Sequence, residues 1–225
     1  MARKQVDRNL EAAEPELERD ERGLALVGSG MELRGDFTRM LPRLRQGRLQ
    51  QELLVKAARI KGATEPTAID CTAGLGEDSL LLAAAGFSVT MFERDATIAA
   101  LLADALERAA ADARLADIVS RMTLVAGDSL AGLADLDFEP DVVFLDPMFP
   151  ARTKSAAVKK KFQLLHHLEQ PCEEEDALVK AALAAHPHKV VIKRPAKGPH
   201  LAGMKPSYSI QGKAVRYDVL VPPRG

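Results

Sequence analysis

The sequence is short of the features that would place it in several large protein classes. Its 31 lysines and arginines so nearly balance 32 aspartates and glutamates that the formal charge is -1. That excludes a uniformly basic nucleic-acid binder, and any phosphate contact must come from a local patch. Cys71 and Cys172 are the only two cysteines among 225 residues, too few for a disulfide framework. They fit a reducing compartment, with Cys71 a small buried residue. No apolar run reaches membrane-spanning length, and no charged start leads into an apolar signal core, so a cytoplasmic protein is expected. His166, His167, His186, His188 and His200 share no metal-site spacing with the cysteines, and no metal is expected. No Ser-His-Asp or Cys-His arrangement can be assembled either.

With 47% hydrophobic residues there is material for one well-packed domain plus an extension. The stretch that organises it is Ala68 to Gly76, Ala-Ile-Asp-Cys-Thr-Ala-Gly-Leu-Gly. Thr67 to Cys71 is apolar and partly β-branched, and Leu80 to Ala85 is an alanine and leucine run suited to a helix. A strand, turn and helix of this kind aims backbone N–H groups at a polar ligand, and Gly74 and Gly76 lack the β-carbons that would keep one away. Asp70 adds a negative charge at the strand end. The third glycine of the dinucleotide fingerprint is missing, Ser79 standing in its place, so the turn alone fits a tight connection as well as a ligand site.

Residues 1–22 are charged, lack apolar periodicity and are interrupted by Pro15, which predicts a frayed or partly helical tail. Leu24–Val27 and Met31–Leu33 flank Gly28-Ser29-Gly30 and predict a β-hairpin covering an edge of the main domain. Arg39, Arg43, Arg45 and Arg48 fit a solvated surface or phosphate contacts, and Leu49 to Ile60 reads as helix. Beyond the glycine turn, Ser88–Phe92 is a second strand closing on Glu93-Arg94-Asp95. Glu93 follows Gly76 near the spacing of roughly 20 residues at which an acid meets ribose hydroxyls. Thr97–Ala116 reads as a helix and Met122–Val125 as a strand before Gly127-Asp128-Ser129, where Ser129 also fits a simple helix cap.

Asp141–Leu145 is a fourth strand running into Asp146-Pro147-Met148-Phe149-Pro150. In a doubly wound sheet the fourth strand lies beside the first, which sets Asp146 across the crevice from Gly74. Arg152, Lys154, Lys159, Lys160 and Lys161 follow, a solvated helix face or a phosphate-binding patch. Glu173–Ala185 reads as a helix whose first acids complement its dipole, and Lys189–Ile192 as a strand ending in Lys193-Arg194-Pro195. Tyr208–Gln211 and Ala214–Val221 predict a closing antiparallel hairpin. The expected fold is α/β, a Rossmann-like doubly wound, mostly parallel seven-stranded sheet with an antiparallel C-terminal strand, plus a small N-terminal extension.

Several segments together resemble one family. Asp70 to Asp78, Glu93-Arg94, Asp128-Ser129, Asp146 to Pro150, Lys154 to Lys160, Lys193-Arg194-Pro195 and Arg216-Tyr217-Asp218 are similar to the ribosomal RNA small subunit methyltransferase J family. The likeness runs from about Gly62 to the C-terminus, with Asp36-Phe37 and Gly47-Arg48 family-like before it. It implies a class I methyltransferase domain over residues 62–225, behind an extension over residues 1–61. It implies S-adenosylmethionine as cofactor, 16S ribosomal RNA or the small ribosomal subunit as partner, and the exocyclic amine of a guanine as acceptor. No obligate protein partner is evident.

By the same resemblance Glu77, Asp78, Glu93, Arg94, Asp128, Ser129 and Asp146 line the cofactor site. The ribose lies against Glu93, the adenine near Asp128 and Ser129, and the methionine near Asp70 and Gly74, with Gly76 also counted among the cofactor-binding residues. For chemistry, the Asp146 carboxylate and the Pro147 carbonyl would accept the amine hydrogens while Phe149 stacks on the base. Lys193 and Arg194 join the candidate RNA contacts. Alternatives are methylation of another planar amine, in DNA or protein, a nicotinamide-dependent oxidoreductase, and a non-catalytic RNA-binding module.

Overall fold

The structure is a computed structural model that describes residues 15–28, 30–147 and 175–223. Expectations resting on residues 1–14 and on 148–174, including Phe149, Arg152, Lys154, Lys159, Lys160 and Lys161, lie outside the described residues.

Two sheets form. The first is three-stranded and antiparallel, from β1 (Glu16–Asp20), β2 (Gly23–Gly28) and β3 (Met31–Leu33). The hairpin of β2 and β3 matches expectation, but β1 replaces part of the predicted tail. Its five side chains are all exposed, so no apolar period marks it; the backbone ladder to β2 makes it a strand. Charges along this outer edge guard it against pairing with other chains.

Short helices α1 (Leu41–Leu44) and α2 (Leu53–Ala58) come next, then β4 (Thr67–Asp70), α3 (Glu77–Ala84), β5 (Ser88–Glu93), α4 (Ala96–Ala110), α5 (Ala116–Val119), β6 (Met122–Ala126), α6 (Ser129–Ala134) and β7 (Val142–Leu145). The described chain closes with α7 (Glu175–Ala184), β8 (Lys189–Pro195), β9 (Tyr208–Gln211) and β10 (Val215–Leu220). Two predicted helices are shorter than expected. The stretch 49–60 is broken at Glu52, whose extended ψ of 129° separates a single 3₁₀ turn from α2. The stretch 97–116 stops at Ala110, because Asp112 accepts the backbone N–H of Arg114 at 2.9 Å and substitutes a local turn for helix.

The seven-stranded sheet runs β6-β5-β4-β7-β8-β10-β9, with β10 antiparallel to both its neighbours. Order reverses between β4 and β7, whose starts are pinned by Thr67 N–H to Asp141 Oδ2 at 2.8 Å and Asp141 N–H to Thr67 Oγ1 at 3.1 Å. Ligands of such sheets bind beyond the strand ends at this switch point. The interior strands are apolar on both faces: Val142 and Phe144 join one core with α2, α3 and α4, while Val143 and Leu145 join the other with α6 and α7. Leu80, Leu81 and Leu82 of α3 are wholly buried, each worth roughly 1.5–3 kcal/mol over exposure. That helix is a fixed backing for the turn before it.

The small sheet packs on the main domain through a helix. Leu26 and Leu33 pack on Ile98 and Leu101 of α4, and Asp104 of that helix meets Arg19 at 2.7 Å and Arg108 at 2.8 Å.

Candidate functional site

The turn between β4 and α3 holds Gly74 at φ 53° and Gly76 at φ 76°, both in the left-handed region. The two glycines serve different ends. A β-carbon on Gly76 would stand 2.7 Å from Leu102 and 3.1 Å from Phe37, so packing demands that glycine. A β-carbon on Gly74 would meet nothing within 4 Å, so the space above that backbone is open.

Around this opening, three carboxylates are held by backbone N–H groups. Glu93, at the end of β5 and 8% exposed, accepts from Gly74 N–H at 2.8 Å and from Asp95 N–H at 2.9 Å. Burial raises its carboxyl above the ordinary value, against those two bonds. Asp95 caps α4 by accepting from Thr97 and Ile98, each at 2.9 Å. Asp128 caps α6 by accepting from Leu130 N–H at 2.8 Å, which leaves Ser129 as a buried first helical residue rather than the cap.

On the other side, side chains hold the acids. Asp70 is 1% exposed and accepts Ser79 Oγ–H at 2.5 Å and Thr72 N–H at 3.0 Å. Burial pushes its carboxyl up to about 7, and Asp78 and Asp146 add to the rise against those hydrogen bonds. Asp146 follows β7, and its N–H donates to Thr72 Oγ1 at 2.7 Å, joining the loop after β7 to the glycine turn. Lys193 of β8 reaches Asp78 at 2.6 Å and Asp146 at 2.8 Å. Tyr217, 5% exposed, pairs with Lys193 across the β8–β10 ladder, its ring 6.5 Å from that of Phe144.

Comparison with known proteins decides what this arrangement is. Residues 4–222 match the family model described as "Putative SAM-dependent methyltransferase". The chain is 47% identical over 175 residues, 77% of its length, to ribosomal RNA small subunit methyltransferase J of Thioalkalivibrio sulfidiphilus. It is 47% identical over 169 residues, 75% of its length, to the same-named protein of a Pseudomonas aeruginosa strain. The chain belongs to the ribosomal RNA small subunit methyltransferase J family. The aligned stretch spans 69% and 65% of those two relatives' own length. A solved SAM-dependent methyltransferase from Neisseria gonorrhoeae superposes with a TM-score of 0.77 at 32% identity, covering 96% of this chain and 86% of that one.

S-adenosylmethionine is therefore the cofactor of this methyltransferase, and the pocket suits it. The open face of Gly74 admits a ligand against the backbone. Burial first, and then the nearby Asp78 and Asp146, raise the Asp70 carboxyl, and a positively charged ligand is welcome beside this group of acids.

The methyltransferase fold brings Asp70, Gly74, Gly76, Asp78, Glu93 and Asp146 to one end of the sheet, as the sequence suggested. Glu77 and Asp78 stand in the first turn of α3, and Arg94 is exposed between Glu93 and Asp95. Two expectations need correction. Arg194 is 1% exposed with its Nε donating to Pro199 O at 2.8 Å, so it is turned inward and away from any RNA surface. Lys193 is committed to two carboxylates rather than presented to phosphates. Sequence reasoning missed Thr72, Ser79 and Tyr217; for the first two, a hydroxyl within the turn-helix segment was the available signal.

Proposed function

We propose that this protein transfers a methyl group from S-adenosylmethionine to the exocyclic N2 amine of a guanine in 16S ribosomal RNA, in the cytoplasm. The observation that carries the reading is the bond from Asp146 N–H to Thr72 Oγ1, which fixes the Asp-Pro loop beside the Gly74 turn. A donor cradle and an acceptor loop thus share one crevice. The relatives at 47% identity are named for small-subunit ribosomal RNA, which supports the substrate class.

A guanine amine is a poor nucleophile because its lone pair is delocalised into the ring. The Asp146 carboxylate and the Pro147 carbonyl accept its hydrogens and favour a pyramidal nitrogen, while Phe149 stacks on the base. The cofactor supplies an electrophilic methyl on a sulfonium. Glu93 would hold the ribose, Asp128 and Ser129 the adenine, and Asp70 and Gly74 the methionine end, with Gly76, Glu77, Asp78 and Arg94 lining the same cofactor site. Much of the rate comes from alignment, for which well-oriented groups gain roughly 7–11 kcal/mol. Arg152, Lys154, Lys159, Lys160 and Lys161 contact phosphates and offset the few kcal/mol of unstacking the target base. Residues 62–225 form the catalytic domain and 1–61 an extension to it.

Labelled S-adenosylmethionine offered with small subunits, naked 16S RNA, DNA and protein tests the reading, with the product nucleotide mapped by mass. Label on guanine N2 is expected, and Asp146→Ala should slow single-turnover transfer by roughly 10²–10⁴-fold. Label on DNA adenine or a protein amide overturns the substrate, and a near-wild-type Asp146→Ala rate removes that residue from the chemistry.

A further inference from the structure

Lys193 sits between acids delivered by two different elements. Its Nζ is 2.6 Å from Oδ2 of Asp78, on the first turn of α3, and 2.8 Å from Oδ2 of Asp146, after β7. The side chain is 25% exposed, so this is no ordinary surface pair. Tyr217 stands beside it on β10 and is buried.

From this geometry we propose that Lys193 is a positioning residue for methyl transfer, holding the Asp146 carboxylate ionised and fixed in orientation while tying it through Asp78 to the helix behind the cofactor turn. The inference rests on the role given above to Asp146. The surrounding groups explain why a cation is needed there. Asp146 faces Asp70 from β4, Asp78 from α3, and Lys193 and Arg194 from β8. Tyr217 faces Asp78, Asp146 and Lys193 from β10, and Arg43 faces Asp78 and Tyr217 from α1. Burial pushes the Asp146 carboxyl up, the Lys193 ammonium pulls it down, and Asp78 raises it again. Remove the ammonium and three acids remain together in a half-buried crevice. The cheapest relief is protonation, and a protonated Asp146 is a poorer acceptor for an amine hydrogen.

The test is single-turnover methylation of small-subunit RNA by the full chain, measured from pH about 5 to 9, in wild type, Lys193→Met and Lys193→Arg. Lys193→Met should move the acid limb upward by at least about one unit, making transfer about tenfold slower on that limb and restoring it at high pH. Lys193→Arg keeps the charge and should keep the limb where it is, even where its broader head group lowers the plateau. An unmoved limb in a folded Lys193→Met overturns the proposal. If Asp146→Ala is slow while that limb is unmoved, the function reading survives and this one fails; a near-wild-type Asp146→Ala brings down the chemistry itself. Should Lys193→Met not fold, nitrogen NMR of the unaltered protein decides. The Lys193 ammonium should stay protonated above the ordinary lysine value of about 10.4, and titration at that value overturns the proposal.

Discussion

The two sides of the crevice hold their carboxylates by different means. Glu93, Asp95 and Asp128 are gripped by main-chain N–H groups of the turn and of two helix starts. Asp70, Asp78 and Asp146 depend chiefly on the side chains of Ser79 and Lys193, with a single main-chain N–H, that of Thr72, on Asp70. A main-chain donor keeps its proton and its place whatever the pH, so the first side is a fixed receptor. The second side balances like charges against one ammonium group and a hydroxyl, and its charge changes with pH. The first suits a neutral, hydroxyl-bearing ligand portion; the second suits a cation and a proton-bearing acceptor.

The hardest blow to the fixed side is Glu93→Ala. It strands the N–H groups of Gly74 and Asp95, and because both bonds are only part-buried the lower end of about 1–3 kcal/mol per donor applies, a loss of roughly 2 kcal/mol. Chemical denaturation reads that loss, and calorimetry should show S-adenosylmethionine affinity falling with it. A variant as stable as wild type would mean that these main-chain bonds are not what shapes the turn.

Asp70→Asn tests the other side through pH. The folded carboxyl lies near 7 and the ordinary value is 3.8, so between those values the folded protein binds more protons than the unfolded chain. Stability therefore falls as pH rises from about 4 to 7 and levels off above that. Asparagine has no charge to bury. Its melting temperature should exceed that of wild type by a few degrees at pH 8, where about 1 kcal/mol shifts a chain of this size by roughly 2–4 °C. The advantage should vanish near pH 4, and a difference independent of pH would deny the buried charge its part.

The same contrast marks what could be read from the sequence. Elements held by the main chain leave short-range signs: apolar runs for β4 and β7, a glycine turn, an acid before a helix. From these the strand order and the approach of Asp146 to Gly74 follow. Elements held by distant side chains leave none. Lys193 reads as one more cation because its partner Asp78 is 115 residues away. Arg194 reads the same way, although it is buried, since only the three-dimensional fold shows which neighbour of a strand pair points inward. β1 escaped notice for a related reason, its strand character lying wholly in backbone pairing.

The smallest expected effect comes from the fixed side again. Asp128 accepts one N–H, that of Leu130, at a helix start that solvent reaches, so water can take over when the carboxylate is gone. Asp128→Ala should cost about 1 kcal/mol in chemical denaturation, the usual worth of an N-cap. Its cofactor affinity should fall by more than loosening of the start of α6 explains, because the proposed site sets Asp128 against the adenine. If instead binding falls only in step with stability, Asp128 is a clamp on the start of α6 and not an adenine contact, and the carboxylates of the fixed side hold backbone rather than ligand.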